Sequence, residues 1–352
     1  MATTDVTVRG AGIFGLSVAW ACLARGARVR VVDPAGIGAG ASGGLVGALA
    51  PHVPGGWNPK KQFQLESLLM AAEWWAEIAR VSGQDPGYAR FGRLIPLADE
   101  AAVALARDRA AEAQRLWDGQ GDGQAAWRIV GTDAFPGWAP ATPTGLMVHD
   151  TLSARMHPRR ALSALAGAIR ARGGEIVAGA EAAEEGAVVH ATGWQGLADL
   201  GQALGRTVGS GEKGQALVLA LDRREMPQLF VDGVHIVPHA DGTTAIGSTS
   251  ERDFDSPDRP DALLDDVHRR ALAACPALEG AAVLERWAGV RPRARTRAPL
   301  LGPWPGRPGH FVANGGYKIG FGIAPKVGEV IADQVLEGRD SIPEGCRIGD
   351  AS

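Results

Sequence analysis

Three glycines near the start of the chain, Gly10, Gly12 and Gly15, have a spacing that suits the binding of a dinucleotide phosphate. The first allows a tight turn, the second lets a pyrophosphate approach the backbone, and the third lets a helix pack on the preceding strand. Asp33 follows at the distance where a carboxylate meets the ribose hydroxyls of an adenosine. These four residues predict a dinucleotide-binding site.

The flanking sequence contains the elements that must position these glycines. Residues 5–9 form a short β-branched run, a helical run follows as far as Arg25, and Gly26 ends it. Residues 27–33 then form a second strand that ends on Asp33. This order predicts a βαβ unit in which the N-terminus of the helix faces the phosphates.

A second Gly-rich segment, residues 38–44, fits three patterns. It repeats the glycine spacing, but no new strand precedes it. It also spells a nucleophile elbow around Ser42, although Pro34 and several glycines stand where the elbow needs a strand. We favour a loop whose N–H groups and Ser42 hydroxyl face a phosphate or a cofactor ring.

Four arginines lie within residues 287–302, and they allow two interpretations. The segment is either a solvated charged loop or a rigid holder of one guanidinium. In the second case Arg291, which precedes Pro292, clamps a substrate carboxylate with two parallel hydrogen bonds.

Three further segments carry weaker signals. The strand at residues 187–190 ends in small residues that let a flat cofactor approach the backbone, and residues 311–325 predict a strand, a Gly-rich turn and a helix N-terminus that presents positive charge to an electron-rich ring. His235 and His239 lie four apart on a predicted strand. We interpret them as polar strand positions, because no further residues have the spacing of metal ligands.

The composition limits the class of protein. The chain has 352 residues, enough for about two domains. Its net charge of −3, without a long basic block, argues against nucleic-acid binding and against an anionic-membrane anchor. Its 3 cysteines are far apart, which excludes a disulfide framework and a cysteine-based zinc site and fits a reducing cytosol. With no targeting segment visible, we expect a cytoplasmic protein without a metal.

Periodicity predicts the remaining elements. Helices are predicted over residues 58–81, 100–117, 158–172, 261–274 and 321–336, and a loop over 119–124. Strands are predicted over residues 91–99, 175–179, 187–191, 215–221, 228–231, 234–238, 243–248 and 310–314. Helix–strand alternation at both ends and a β-rich middle predict two interleaved domains.

Taken in order, these segments resemble the FAD-dependent family of D-amino acid oxidase, glycine oxidase and sarcosine oxidase. The matching segments are residues 10–15 with Asp33, 40–52, 157–158, 191–194, 213–215, 234–249, 288–302 and 313–325. The resemblance implies an α/β fold with a Rossmann-type FAD-binding domain of the glutathione reductase kind. That domain would comprise residues 1–82, 146–212 and 287–352, interleaved with an α+β substrate domain of residues 83–145 and 213–286 on an antiparallel sheet.

The resemblance also implies the residues that hold FAD. They are Gly10, Ala11, Gly12, Ile13, Phe14, Gly15, Asp33, Ala41, Ser42, Gly43, Ala191, Thr192, Gly193, Trp194, Gly316, Lys318, Ile319, Gly320 and Phe321. No cysteine lies where sarcosine oxidases attach their flavin, so the FAD is expected to be non-covalent.

The implied reaction is oxidation of the C–N bond of a small amino acid or secondary amine carboxylate, by hydride transfer to flavin N5. Arg291 matches the carboxylate-binding arginine of the family, and Tyr317 or Lys318 is a second contact. His235, at the position of a substrate-contacting tyrosine in glycine oxidase, and His52 would tune the amine. Electrons would pass to O2 or to another acceptor.

Two alternatives remain open at this point. Residues 40–52 and 288–291 also resemble the oxidase domain of the tRNA wobble-uridine modification enzyme, which acts on a carboxymethylaminomethyl group. The chain lacks the methyltransferase half of that enzyme and a basic excess. The other alternative is a subunit of an amine dehydrogenase complex that passes electrons to a partner.

Overall fold

Two large sheets, a small two-stranded sheet and the helices packed on them make up the described part of the chain. The computed structural model describes residues 4–117, 120, 123, 125–179 and 184–351. The helices in them are α1 (Ile13–Ala24), α2 (Pro59–Ser82), α3 (Glu100–Trp117), α4 (Pro158–Ala171), α5 (Gly193–Ala203), α6 (Leu263–Ala274) and α7 (Gly320–Glu337). The strands are β1 (Val6–Arg9), β2 (Val29–Asp33), β3 (Ala48–Leu49), β4 (Arg93–Pro96), β5 (Trp127–Gly131), β6 (Leu146–Asp150), β7 (Ala154–Arg155), β8 (Glu175–Ala178), β9 (Ala187–His190), β10 (Gly209–Leu219), β11 (Gln228–Val231), β12 (Val234–Pro238), β13 (Thr244–Gly247), β14 (Val283–Ala294), β15 (Leu300–Pro303) and β16 (His310–Asn314).

The first sheet has six strands in the order β15-β16-β9-β1-β2-β8. Strand β1 pairs in parallel with β2 on one side and with β9 on the other. Because the chain leaves β1 toward β2 while β9 lies on the opposite side, the carboxyl end of β1 opens a crevice of the kind that binds ligands. Helix α1 packs against α4 and α7 beside this sheet.

Local signals place both ends of α2 within one residue of the prediction. Asn58 caps α2 by accepting a hydrogen bond from the Lys61 N–H at 3.0 Å, and Pro59 occupies the first turn. Gly83, in the left-handed conformation, ends the same helix. The predicted loop at residues 119–124 lies mostly outside the described residues.

The second sheet has eight strands in the order β14-β10-β13-β12-β11-β4-β6-β5. Its strand pairs are antiparallel except for the parallel pair β4 and β11. Helix α6 packs on β10, β12 and β13, and α3 packs on β5. The structure thus has the predicted α/β architecture, with a second domain on a mostly antiparallel sheet.

The larger sheet differs from the sequence predictions in two respects. Residues 287–294 of the arginine-rich segment are not a solvated loop, because β14 pairs with β10 along its length. Strands β6 and β14 also belong to this sheet, although the predicted boundaries at residues 146 and 287 assign most of their residues to the FAD-binding domain. Pairing with distant strands decides this membership, and the local sequence does not record it.

Candidate active site

A cavity of about 550 Å³ lies where the two sheets meet. One wall comes from the carboxyl ends of the parallel strands β1, β2, β9 and β16, and the facing wall comes from β12, β13 and β14. The lining brings together most residues singled out in the sequence: Gly10, Gly12, Ile13, Phe14, Asp33, Ala41, Ser42, Ala191, Thr192, Gly193, Trp194, His235, Arg291, Gly316, Tyr317, Lys318, Gly320 and Phe321.

The Gly-rich turn is closely packed. Gly10 has φ +107°, and a Cβ on it would lie 2.3 Å from the carbonyl oxygen of Ala191. A Cβ on Gly15 would lie 1.9 Å from the carbonyl oxygen of Gly10. Since real Cβ atoms do not approach backbone oxygens so closely, these two glycines bring β1, α1 and the end of β9 together at the cavity.

The N-terminus of α1 is open toward the cavity. Gly12 occupies the N-cap position and offers no side chain to the first turn, which contains no carboxylate. The Ser42 hydroxyl accepts a hydrogen bond from the Ile13 N–H at 3.0 Å, and its own hydrogen is free to point elsewhere. The other N–H groups of the first turn and the positive end of the helix dipole suit a pyrophosphate, so this wall fits the phosphate half of FAD.

The Asp33 carboxylate supports the same turn. It accepts hydrogen bonds from the Ala11 N–H at 2.7 Å and from the Ala35 N–H at 2.9 Å. The residue also lines the cavity at the end of β2. Asp33 therefore both ties the Gly-rich turn to β2 and offers its remaining lone pairs to a ribose hydroxyl.

Arg291 projects from β14 on the facing wall. Its guanidinium donates to the Ser248 hydroxyl at 2.5 Å and to the Thr249 carbonyl at 3.3 Å. A Cβ on Gly214 would lie 1.9 Å from this guanidinium, so the absence of a side chain on β10 makes the space for it. Among the described residues no carboxylate forms an ion pair with Arg291, and burial lowers its pKa. The guanidinium N–H groups that do not donate to Ser248 and Thr249 are thus available to an anionic ligand.

Tyr317 and Lys318 lie in the turn between β16 and α7. The Tyr317 hydroxyl donates to the Glu212 carboxylate, while burial and then this hydrogen bond raise the pKa of the tyrosine. The Lys318 ammonium donates to the Ser250 hydroxyl at 3.0 Å. Burial, followed by the nearby charge of Arg291, lowers the pKa of Lys318. The turn therefore places a phenol and a cation beside the guanidinium.

His235 completes this wall as a neutral group. Burial, followed by the charge of Arg93, lowers its pKa to about 3. Its Nδ1 atom is buried and has no hydrogen-bond partner in the described part of the chain. A neutral imidazole with an unpaired nitrogen at the cavity can exchange a hydrogen bond with a ligand.

Five residues implied by the resemblance do not line the cavity: Ala11, Gly15, Gly43, His52 and Ile319. Gly15 and Gly43 instead make room for backbone carbonyls, since a Cβ on Gly43 would lie 2.2 Å from the Gly38 oxygen. The His52 ring is hydrogen-bonded to the Gln64 side chain of α2. His52 was expected to tune the amine, but the loop before α2 directs it to that helix and away from the cavity.

The two histidines of β12 and the turn after it do not converge. The His235 ring lies 4.6 Å from that of Phe230, and the His239 ring lies 4.6 Å from that of His157. Over the described ranges, no group of three or more His, Cys, Asp or Glu side chains is arranged to hold a metal.

Glu212 lies next to this wall, hydrogen-bonded to Tyr317, and sequence reasoning missed it. It stands directly opposite Arg291 in the pairing of β10 with β14. Burial favours a higher pKa, but the Ser250 and Tyr317 hydrogen bonds outweigh it and lower the pKa of Glu212. The available signal was a carboxylate at the head of the apolar run of β10, next to the matched segment 213–215.

The fold and the cavity together are those of a dinucleotide-binding protein whose facing wall carries the cations Arg291 and Lys318. The model of the FAD dependent oxidoreductase family (DAO) matches residues 5–334. The chain therefore belongs to this family of enzymes, and its cofactor is FAD, as the resemblance implied. None of the helices in the described ranges is long and apolar enough to cross a membrane.

Individual relatives agree with this family. The chain is 29% identical to glycine oxidase from Pseudomonas putida, over 98% of this chain and 99% of the relative. Its structure resembles glycine oxidase from Geobacillus kaustophilus, with a TM-score of 0.83, 21% identity and 97% of each chain covered. It also resembles iminodiacetate oxidase from Chelativorans sp. BNC1, with a TM-score of 0.83, 21% identity, and 97% and 98% covered. At this identity the two structures support the fold alone.

Proposed function

We propose that the protein oxidises the C–N bond of a small amino acid or of a secondary amine that bears a carboxylate. The observation that carries this proposal is Arg291, a guanidinium that has no carboxylate partner in the described part of the chain and lines the same cavity as the Gly-rich turn. The substrate named for the Pseudomonas putida relative, glycine, has the same chemistry.

The wall formed by the Gly-rich turn and the strand ends of the first sheet, called the cofactor wall below, holds FAD without a covalent bond. The turn at Gly10 and Gly12, the Ile13–Ser42 pair and Asp33 bind the pyrophosphate and ribose. The three cysteines are buried, and burial raises the pKa of Cys22 to about 12, which leaves its thiol unreactive. Acid or heat should therefore release intact FAD, and flavin that stayed on the denatured chain would contradict this.

The facing wall, called the substrate wall below and formed by Arg291, Tyr317, Lys318 and His235, orients the amine. Arg291 binds the carboxylate with two parallel hydrogen bonds, and Lys318 or Tyr317 provides the second contact. His235, neutral at physiological pH, accepts or donates one hydrogen bond at the amine nitrogen. When bound, FAD supplies an acceptor for the hydride that leaves Cα, and water hydrolyses the resulting imine. Fixing the carboxylate and the nitrogen aligns that C–H bond before reaction.

Anaerobic reduction of the bound flavin tests this function. The purified holoenzyme is mixed with glycine, sarcosine, and D- and L-amino acids, and flavin absorbance is followed. We expect bleaching by at least one carboxylate-bearing amine and none by the matching amine without a carboxylate. Admitting air afterwards distinguishes O2 from another electron acceptor by the rate of reoxidation. Bleaching by simple amines alone would contradict the role of Arg291.

A further inference from the structure

A second cavity of about 370 Å³ opens beside the first, and Tyr317 and Lys318 line both. Four cations line it, Arg252, Arg293, Arg297 and Lys318, together with a single carboxylate, Glu212. This second cavity is called the outer cavity below.

The single carboxylate of the outer cavity already has hydrogen-bond and ion-pair partners. Glu212 accepts hydrogen bonds from Ser250 and Tyr317, and its other oxygen lies 3.4 Å from the Arg293 guanidinium. In the described residues Arg252, Arg297 and Lys318 form no ion pair with a carboxylate. The outer cavity therefore carries a surplus of positive charge that this part of the chain does not neutralise.

The position of the surplus follows from strand geometry. Arg291 and Arg293 alternate with Pro292 on β14, so both side chains lie on the same face, with Cα atoms roughly 7 Å apart. Arg291 lines the first cavity, whereas Arg293 lines the outer one. The side chain of Arg293 is only 16% exposed, so its charge is largely removed from water. Like charges also lie close to Lys318: its pKa is lowered by burial and then by the positive charges of Arg291 and Arg293.

We infer that the outer cavity is a subsite for a second acidic group, and that the preferred substrate is an amine that bears two carboxylates. The first carboxylate binds Arg291, as in the proposed function on which this inference rests. The second reaches past Tyr317 to Lys318 and Arg293, with Arg252 and Arg297 at the rim. A substrate with one carboxylate would neutralise only Arg291 and would leave Lys318, Arg252 and Arg297 without a carboxylate partner among the described residues.

Two unreactive acids test the subsite by binding alone. Thiodiglycolate has two carboxymethyl groups joined through sulfur, and (methylthio)acetate has one of these carboxymethyl groups replaced by a methyl group. Isothermal titration calorimetry on the holoenzyme should show thiodiglycolate binding at least about tenfold tighter, as charge-assisted hydrogen bonds in a partly desolvated site allow. Equal affinities, or binding of neither acid, would overturn the subsite.

Neighbouring arginines provide matched variants. Arg293→Gln should remove most of the preference for thiodiglycolate, and Arg252→Gln should reduce it at the exposed rim, where folding is not at risk. Arg295→Gln is the control, because Arg295 is exposed on the same segment and lines neither cavity. If Arg295→Gln lowered the preference as much as the others, the preference would come from the overall positive potential of the segment, and the subsite would be overturned.

A kinetic comparison separates this inference from the proposed function. Sarcosine and iminodiacetate differ only by the second carboxylate, and the carbamoylmethyl analogue of iminodiacetate keeps the size without that charge. We expect kcat/KM for iminodiacetate to exceed both others by about tenfold or more. If none bleached the flavin while thiodiglycolate kept its preference, the oxidation proposal would fail and the subsite would stand. If all three reacted equally, only the subsite would fail.

Discussion

The two walls of the cavity are built by different means. The cofactor wall consists of backbone: a Gly-rich turn, an uncapped helix end and small residues at strand ends, with Asp33 as its main charged side chain. The substrate wall consists of side chains, with Arg291, Lys318, Tyr317 and His235 brought together from three separate segments. Apart from Asp33, the cofactor wall therefore tolerates changes of side chain but not of backbone space, whereas the substrate wall depends on the functional group at each position.

This difference also separates affinity for the cofactor from choice of substrate. Phosphate binding by N–H groups is independent of side-chain chemistry. Carboxylate binding by a guanidinium depends on the planar fork, which lysine cannot reproduce. Substitutions on one wall should therefore leave the function of the other intact.

The largest effect is expected for Gly10→Ala. A Cβ would lie 2.3 Å from the Ala191 oxygen at a φ of +107°, so the turn must deform. We expect nearly complete loss of bound FAD and a loss of unfolding free energy of at least about 3 kcal/mol. FAD content and chemical unfolding of the apoprotein measure both.

The control for this change is Gly40→Ala on the same wall. A Cβ on Gly40 meets no atom within 4 Å, and its φ of −91° is accessible to alanine. The apoprotein of this variant should unfold like the wild type. Equal damage by both substitutions would show that backbone space does not define the cofactor wall.

Arg291→Lys should produce the next largest effect, and on the substrate wall only. We expect kcat/KM for a carboxylate-bearing amine to fall at least about a hundredfold, or roughly 2.7 kcal/mol, because lysine loses the two-pronged contact. FAD content should stay unchanged. Arg295→Lys is the matched control and should cost little, since exposed charges contribute weakly. Near-normal activity of Arg291→Lys would show that another cation binds the carboxylate.

Asp33→Ala should weaken FAD binding without changing substrate preference. Losing hydrogen bonds to the Ala11 N–H and the ribose should cost about 1.5–3 kcal/mol, or roughly ten- to a hundredfold in affinity. Asp33→Asn keeps one acceptor oxygen and should lose less. If both variants bound FAD like the wild type, as measured by equilibrium titration, Asp33 would be only the end of a strand.

The smallest effect concerns pH and the buried His235. Its folded pKa of about 3 lies below the unfolded value of 6.5, so on acidification the unfolded chain takes up the proton first. The stability contributed by the neutral ring is complete well above pH 6.5 and should fall by about 2 kcal/mol between about pH 7.5 and 5. His235→Gln should flatten the pH dependence of unfolding by that amount. An unchanged slope would contradict a neutral, desolvated ring on the substrate wall.

Local sequence was sufficient where short-range physics sets the structure. The helix from residue 59 to 82 was predicted within one residue, because a side-chain cap at Asn58 and a left-handed Gly83 define its ends. The same holds for the turn after β1, since strand, turn and helix are adjacent in the chain and Gly15 makes room there for the Gly10 carbonyl. The space that Gly10 leaves for the Ala191 carbonyl, by contrast, serves a contact with the distant strand β9. The matched segments in family order were likewise enough to identify a FAD-dependent oxidoreductase.

Only the tertiary structure decided which charges meet at the substrate wall. Glu212 faces Arg291 because β10 pairs with β14 in one register, and the guanidinium fits because Gly214 leaves its side of β10 open. The same pairing turned an arginine-rich segment into a strand, while the loop before α2 took His52 away from the cavity to Gln64. These contacts join residues far apart in sequence, and their energies depend on register and burial. Residue types and spacing record neither, whereas they do record a turn that its own neighbours define.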